Sequence, residues 1–110
     1  MTSKQFQQRA QAFAESTEEP HFEKTSFRVR KKIFATLAPE KAEAVLKLPL
    51  VEQAVFTEAG GGAIYPVPNK WGQQGWTVVE LKTVKSDLLN EALACAYRCV
   101  APKSLGELVD

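Results

Sequence analysis

Five cations, Lys24, Arg28, Arg30, Lys31 and Lys32, fall within nine consecutive residues that hold no carboxylate. Clustered Lys and Arg side chains neutralise phosphates and release their counterions, so the chemistry this spacing offers is ionic binding of a polyanion. The competing reading is a solvated strand pair whose lysines blunt edge-to-edge pairing. A second cluster, Tyr65, Asn69, Lys70, Trp71 and Trp76, sets aromatic rings beside a cation in a turn-rich stretch, a combination that can stack on bases or anchor a partner protein. Trp76 opens a β-branched run and reads as a core residue. Trp71, between Lys70 and Gly72, is the candidate for an exposed or capping aromatic, with core closure as the alternative.

Covalent and acid–base chemistry find less to work with. Nucleophilic catalysis of the triad type needs a base beside the nucleophile, but His21 is the single histidine, no Gly-x-Ser-x-Gly elbow is present and neither cysteine carries a local signature. Gly60-Gly61-Gly62 lacks the Lys-Ser/Thr that completes a phosphate loop and reads as a helix stop. Glu18, Glu19, Glu40, Glu43, Asp87 and Glu91 are scattered and read as solvated surface charges. Cys95 and Cys99 are four apart on an expected helix, a poor geometry for a disulfide, and with His21 remote in sequence a zinc site is disfavoured. The expectation is two buried or half-buried free thiols, no metal, no cofactor and no enzymatic activity.

Composition sets the scale on which these clusters act. The chain has 110 residues, 45% hydrophobic and 25% charged, the numbers of one ordinary globular domain spanning 1–110. Fourteen Lys/Arg against thirteen Asp/Glu leave +1, which excludes a histone-like polycation and an acidic tail. Resolved along the chain, that +1 is a +5 stretch from Lys24 to Lys32 and a remainder of −4. The opening Met1-Thr2-Ser3-Lys4-Gln5-Phe6 leads into no apolar h-region, no apolar run reaches the length of a membrane span, and Gly106-Glu107-Leu108-Val109-Asp110 carries no prenylation cysteine. A cytoplasmic protein with no membrane partner is the expectation; no oligomeric state follows.

Periodicity then supplies the elements that must hold the two clusters. Phe6, Ala10, Phe13 and Ala14 form one stripe of a helix from Ser3 to about Ser16, and Thr17-Glu18-Glu19-Pro20-His21 is expected to stop it in a loop, because Pro20 lacks an amide hydrogen. From Thr25 the period becomes two. Phe27 and Val29 face one way and Arg28 and Arg30 the other; after a turn near Arg30-Lys31-Lys32, Ile33, Ala35 and Leu37 alternate with Lys32, Phe34 and Thr36. Ala42 to Leu48 gives a third strand, Pro49 to Phe56 a short helix, Ala63 to Val67 a fourth strand in which Pro66 argues for an edge, and Trp76 to Leu81 a fifth. Ser86 is the expected N-cap of the longest helix, with Leu89, Leu93, Ala96, Tyr97 and Val100 as its stripe and Pro102 beyond its end. The order α-β-β-β-α-β-β-α predicts an α+β two-layer sandwich: an antiparallel sheet of about five strands, helices on one face and the other face open. A partner is expected on that open face or in the loops.

These same stretches resemble the MmcQ/YjbR family. Phe27-Arg28-Val29-Arg30-Lys31-Lys32-Ile33-Phe34-Ala35-Thr36-Leu37 is similar to its opening hairpin, with Phe-x-Val and then Lys-x-Phe-Ala. Val45-Leu46-Lys47-Leu48, Tyr65-Pro66 to Lys70-Trp71-Gly72, Gly75-Trp76-Thr77-Val78-Val79-Glu80-Leu81 and Ala96-Tyr97-Arg98-Cys99-Val100 follow in the family's order, from about Phe22 to Pro102. The sequence departs at the turn, where Arg30-Lys31 stands in place of an expected glycine and makes the tip more cationic. The resemblance implies a small cytoplasmic double-wing, DNA-binding-like domain without agreed catalytic residues; the family's Lys and Trp positions fall on Lys32, Lys70 and Trp76. The leading expectation is therefore a non-enzymatic DNA-binding module of low sequence selectivity, contacting phosphates through Arg28, Arg30, Lys31 and Lys32, with Lys70 and Trp71 as second-site contacts. The alternative is a protein-interaction module that offers its open sheet face to an acidic partner or to itself.

Overall fold

A computed structural model describes residues 1–106; the Glu107–Asp110 end, read above for lipidation, lies outside the described residues. Helix α1 (Ser3–Gln11) starts on a capping box: Gln5 N–H donates to Thr2 Oγ1 at 3.1 Å and Thr2 N–H donates to Gln5 Oε1 at 3.0 Å. It stops well before Ser16. The Ser16 hydroxyl donates to the Ala10 carbonyl at 2.8 Å, and Glu15 takes a left-handed φ of 59°, reversing the chain. Phe13 thus packs from the turn after the helix, stacked on Tyr97 with ring centroids 4.6 Å apart.

The segment expected as a loop is instead strand β1 (Ser16–His21), paired antiparallel to β2 (Lys24–Val29) from Ser16↔Val29 to His21↔Lys24. Pro20 is tolerated because β1 is an edge strand, where one row of backbone groups has no ladder partner. The next elements are β3 (Lys32–Ala38), β4 (Glu43–Lys47), α2 (Leu50–Ala59), β5 (Ile64–Pro66), β6 (Trp76–Glu80), α3 (Ser86–Val100) and α4 (Lys103–Gly106). They build one six-stranded antiparallel sheet in the order β1-β2-β3-β4-β6-β5, one strand more than expected, with Pro66 on the opposite edge. Lys85, not Ser86, occupies the N-cap of α3, and no side chain caps it.

The helices cover one face. Phe6 and Ala10 of α1 and Leu89, Leu93, Ala96 and Tyr97 of α3 bury against Phe27, Val29, Leu37, Ala44, Leu46 and Val79 of the sheet. One β-bulge changes which β3 residues join them. Phe27 pairs with Ala35 and Arg28 with Ile33, so Phe34 is the extra residue. Phe34 and Ala35 both turn into the core, Phe34 edge-on to Tyr97 at 5.4 Å, whereas Ile33 moves to the open face beside Thr36. The strict alternation expected for this strand is thereby corrected. No described helix is long and apolar enough to cross a membrane.

Candidate functional site

The uncovered face of the sheet carries a hollow of about 400 Å³. Ile33, Thr36, Val45 and Val67 form its apolar floor and wall, Trp71 and Trp76 stand along it, and His21 and Lys24 from the β1–β2 hairpin close one rim. Trp76 is not a core residue. It pairs with Lys47 on the open face while Thr77 takes the inward position, because Leu46↔Thr77 is the pair that faces the helices. The Lys47 ammonium lies 5.6 Å from the Trp76 ring centroid and donates to the Gln74 carbonyl. Trp71 is 51% exposed, resolving the two readings of this residue in favour of an accessible ring.

A loop this short presents a large ring only if its backbone is fixed, and several hydrogen bonds fix it. Trp71 N–H donates to Asn69 Oδ1 at 2.8 Å, Trp76 N–H to the Trp71 carbonyl at 3.1 Å, and Val67 N–H to the Trp76 carbonyl at 3.0 Å. From below, the buried Gln53 of α2 donates to the Gly72 carbonyl at 2.9 Å and to Thr77 Oγ1 at 3.0 Å. Glycine is required at Gly75, whose φ is 105° and where a Cβ would lie 2.0 Å from the Leu48 carbonyl oxygen. Trp71 is therefore held ready rather than displayed on a slack loop.

The basic stretch is less cationic in space than in sequence. β1 lays Glu19 beside Arg28, 3.6 Å from its Nε, and Arg28 Nε also donates to Ser26 Oγ at 3.1 Å. Arg30 folds back onto Glu15, 2.7 Å away. From Glu15 to Lys32 four carboxylates accompany the five cations, leaving a net charge of +1. Lys31 and Lys32 are exposed, and neither forms an ion pair among the described residues. Lys31 sits in the two-residue turn Arg30-Lys31, where both residues take positive φ, 51° and 70°, without the expected glycine, and Lys32 opens β3. Lys70 does not line the hollow that holds Trp71; it borders a separate shallow hollow with Gln53, Pro68 and Gln73. Of the expected contacts Arg28, Arg30, Lys31, Lys32, Lys70 and Trp71, only Trp71 lines the hollow; Lys24 and Trp76 belong to the two sequence clusters but were not expected as contacts, and no sequence pattern pointed to His21, Ile33, Thr36, Val45 or Val67. The alternation of Lys24, Ser26 and Arg28 was a usable signal for Lys24; nothing in the sequence marked the bulge that exposes Ile33.

The far end of the open face has the opposite sign. Glu43 and Glu80 are direct cross-strand partners, and their charges, after burial, help push the Tyr65 hydroxyl pKa up. An anionic ligand on this face is accordingly steered towards the Lys24 and Lys47 side. Cys95 and Cys99 lie elsewhere, in a groove of about 580 Å³ between α2 and α3 with Glu52, Asn90 and Arg98. Both are free; Cys95 is half-buried as expected, but Cys99 is exposed, and partial burial raises both thiol pKa values above the ordinary cysteine value, the reverse of nucleophile activation.

A helix layer on an antiparallel sheet whose other face is open and aromatic-lined defines a small α+β domain with a helix-free sheet face. The sequence model of the YjbR family matches residues 11–99, and the chain belongs to that family. The fold is shared with the crystal structure of the Deinococcus radiodurans protein DR2400, a DUF419-domain protein, at 24% identity and a TM-score of 0.77 over 90% of this chain and 78% of that one. No curated protein matches the chain.

Proposed function

We propose that this YjbR-family chain is a non-enzymatic nucleic-acid-binding domain that works in the cytoplasm with low sequence selectivity. The observation that carries the reading is the pairing of Trp71 and Trp76 along an apolar hollow on the helix-free face, with Lys24 at its rim and Lys47 against Trp76. Aromatic faces accept bases of any kind and cations track the phosphates, a combination that gives affinity with little sequence discrimination. Lys31 and Lys32 supply further phosphate contacts at the wing tip, and Arg28 and Arg30 join them by exchanging their carboxylate partners. Two free thiols with raised pKa suit a reducing compartment.

Fluorescence anisotropy of labelled oligonucleotides at two salt concentrations tests this. Affinity is expected to fall with salt, with a log–log slope of about −0.7 to −0.9 per phosphate neutralised. Trp71→Ala and the Lys31→Ala, Lys32→Ala pair should each weaken binding, and Arg28→Ala with Arg30→Ala should weaken it less. Absence of binding at low salt, or binding indifferent to all these changes, overturns the proposal. The mostly apolar lining of the hollow favours a second reading, docking of an acidic protein segment on the same face; retention of one acidic protein after nuclease treatment, with no oligonucleotide binding, would select it.

A further inference from the structure

Phe22 is 95% exposed at the turn between β1 and β2, more than any other large hydrophobic side chain among the described residues. It also has a left-handed φ of 59°, where a bulky side chain is strained and glycine or asparagine is the ordinary choice. Neither folding nor packing accounts for an aromatic ring at this position. The ring is not remote from the site: it meets His21 edge-on at 5.1 Å, and His21 and Lys24, the residues flanking the turn, both line the hollow that holds Trp71 and Trp76.

Resting on the proposed nucleic-acid reading, we infer that the ligand is single-stranded and that Phe22 is a base-stacking residue, taking another base of the strand that Trp71 engages. In a duplex the base faces are already stacked on their neighbours and are not offered to a protein ring, whereas an unpaired strand presents them singly. All four described helices lie on or beside the covered face or its end, so the open face brings rings and sheet rather than a helix that could enter a major groove. Charge fixes the path. Glu23 shares the turn with Phe22, so the phosphates run on the Lys24 side, and Glu43 and Glu80 bar the opposite end of the face. Phe22 and Trp71 are then two exposed rings bordering one cationic rim.

The experiment compares a labelled 12-mer single strand with the hairpin duplex of the same sequence, at low salt, for the native chain, Phe22→Ala, Phe22→Trp and Glu23→Gln. The single strand should bind more tightly than the duplex. Phe22→Ala should weaken single-strand binding roughly 5- to 100-fold, the range for loss of one base stack. Phe22→Trp should restore it, with indole emission quenched on binding, and Glu23→Gln should tighten it. Because Phe22 is almost wholly outside the core, its replacement leaves thermal unfolding near that of the native chain. If the duplex binds more tightly, or if Phe22→Ala binds the single strand unchanged, the stacking inference fails while the nucleic-acid reading stands. If the native chain binds neither strand nor duplex, both fail together.

Discussion

Arg30 holds Glu15 in a two-pronged ion pair, its Nε and Nη2 donating to the two carboxylate oxygens at 2.7 and 3.0 Å. The contact joins the hairpin tip to the turn after α1 and ties up one of the five hairpin cations. The Arg30 hydrogen bond, aided by its charge, holds the Glu15 carboxyl below the ordinary glutamate range. With the folded value below the unfolded one, the contribution of the pair is full above that range and is lost as pH falls through the lowered value. An NMR titration should place the Glu15 midpoint below that of an unpaired glutamate, and Arg30→Ala should return it to the ordinary range. Glu15→Gln should also release Arg30 towards phosphate, steepening the salt dependence of oligonucleotide binding by about 0.7–0.9 in log–log slope. An unchanged slope means that Arg30 meets no phosphate.

The left-handed turn at Arg30-Lys31 separates stability from binding. A non-glycine residue in this conformation is disfavoured by roughly 1–2 kcal/mol. Lys31→Gly should therefore stabilise the fold by about 1 kcal/mol, a Tm rise of roughly 4–8 °C for a domain of about this size, while weakening nucleic-acid binding. Calorimetry and anisotropy on the one variant give the two readouts; a fall in both would deny the turn any strain.

Gln53 reaches from α2 to the loop that presents Trp71. Gln53→Leu leaves the Gly72 carbonyl and Thr77 Oγ1 without their donor, and loss of buried partners of this kind costs about 2–3 kcal/mol. Urea unfolding should give that loss, and the oligonucleotide affinity should drop even at temperatures where the variant is fully folded. Native affinity in the folded variant would mean that the loop holds its shape without α2.

Tyr97 anchors the opposite end of the core. Its hydroxyl donates to the Ala14 carbonyl at 2.6 Å, and its ring packs with Phe13 and Phe34 in a cluster of three mutually contacting rings. Tyr97→Phe should cost about 1 kcal/mol in urea unfolding. Phe34→Ala should cost about 3–5 kcal/mol, because the bulge commits that ring fully to the core. If Phe34→Ala is instead nearly neutral, the bulge is misplaced and Ile33 is the buried residue.

The thiols should be slow. With both pKa values raised by burial, little thiolate exists near neutral pH, so reaction with a disulfide reagent at pH 7.5 should lag well behind free cysteine and accelerate as pH rises. Cys99, the more exposed, should react before Cys95. Fast labelling of Cys95 would show that the α2–α3 groove opens.

Much of this architecture was legible in residue order. Local rules determined that strands lie within Thr25 to Leu37, the edge position of Pro66 and the stripe of α3, since each depends on neighbours a few residues away, and the order of the elements predicted the helix-free sheet face. The resemblance to the YjbR family rested on those same stretches. What tertiary structure decided were the relationships that pairing creates. Pro20 reads locally as a stop, yet an edge strand leaves one side of its backbone unpaired and admits it, and β1 then brings Glu19 to Arg28 while the turn before it brings Glu15 to Arg30. A single extra residue at Phe34 reverses the facing of everything before it on β3 and moves Ile33 to the hollow. Charge and alternation are properties of a chain; whether a cation is free and which face a side chain takes are properties of its partner strand, and only the folded sheet supplies that partner.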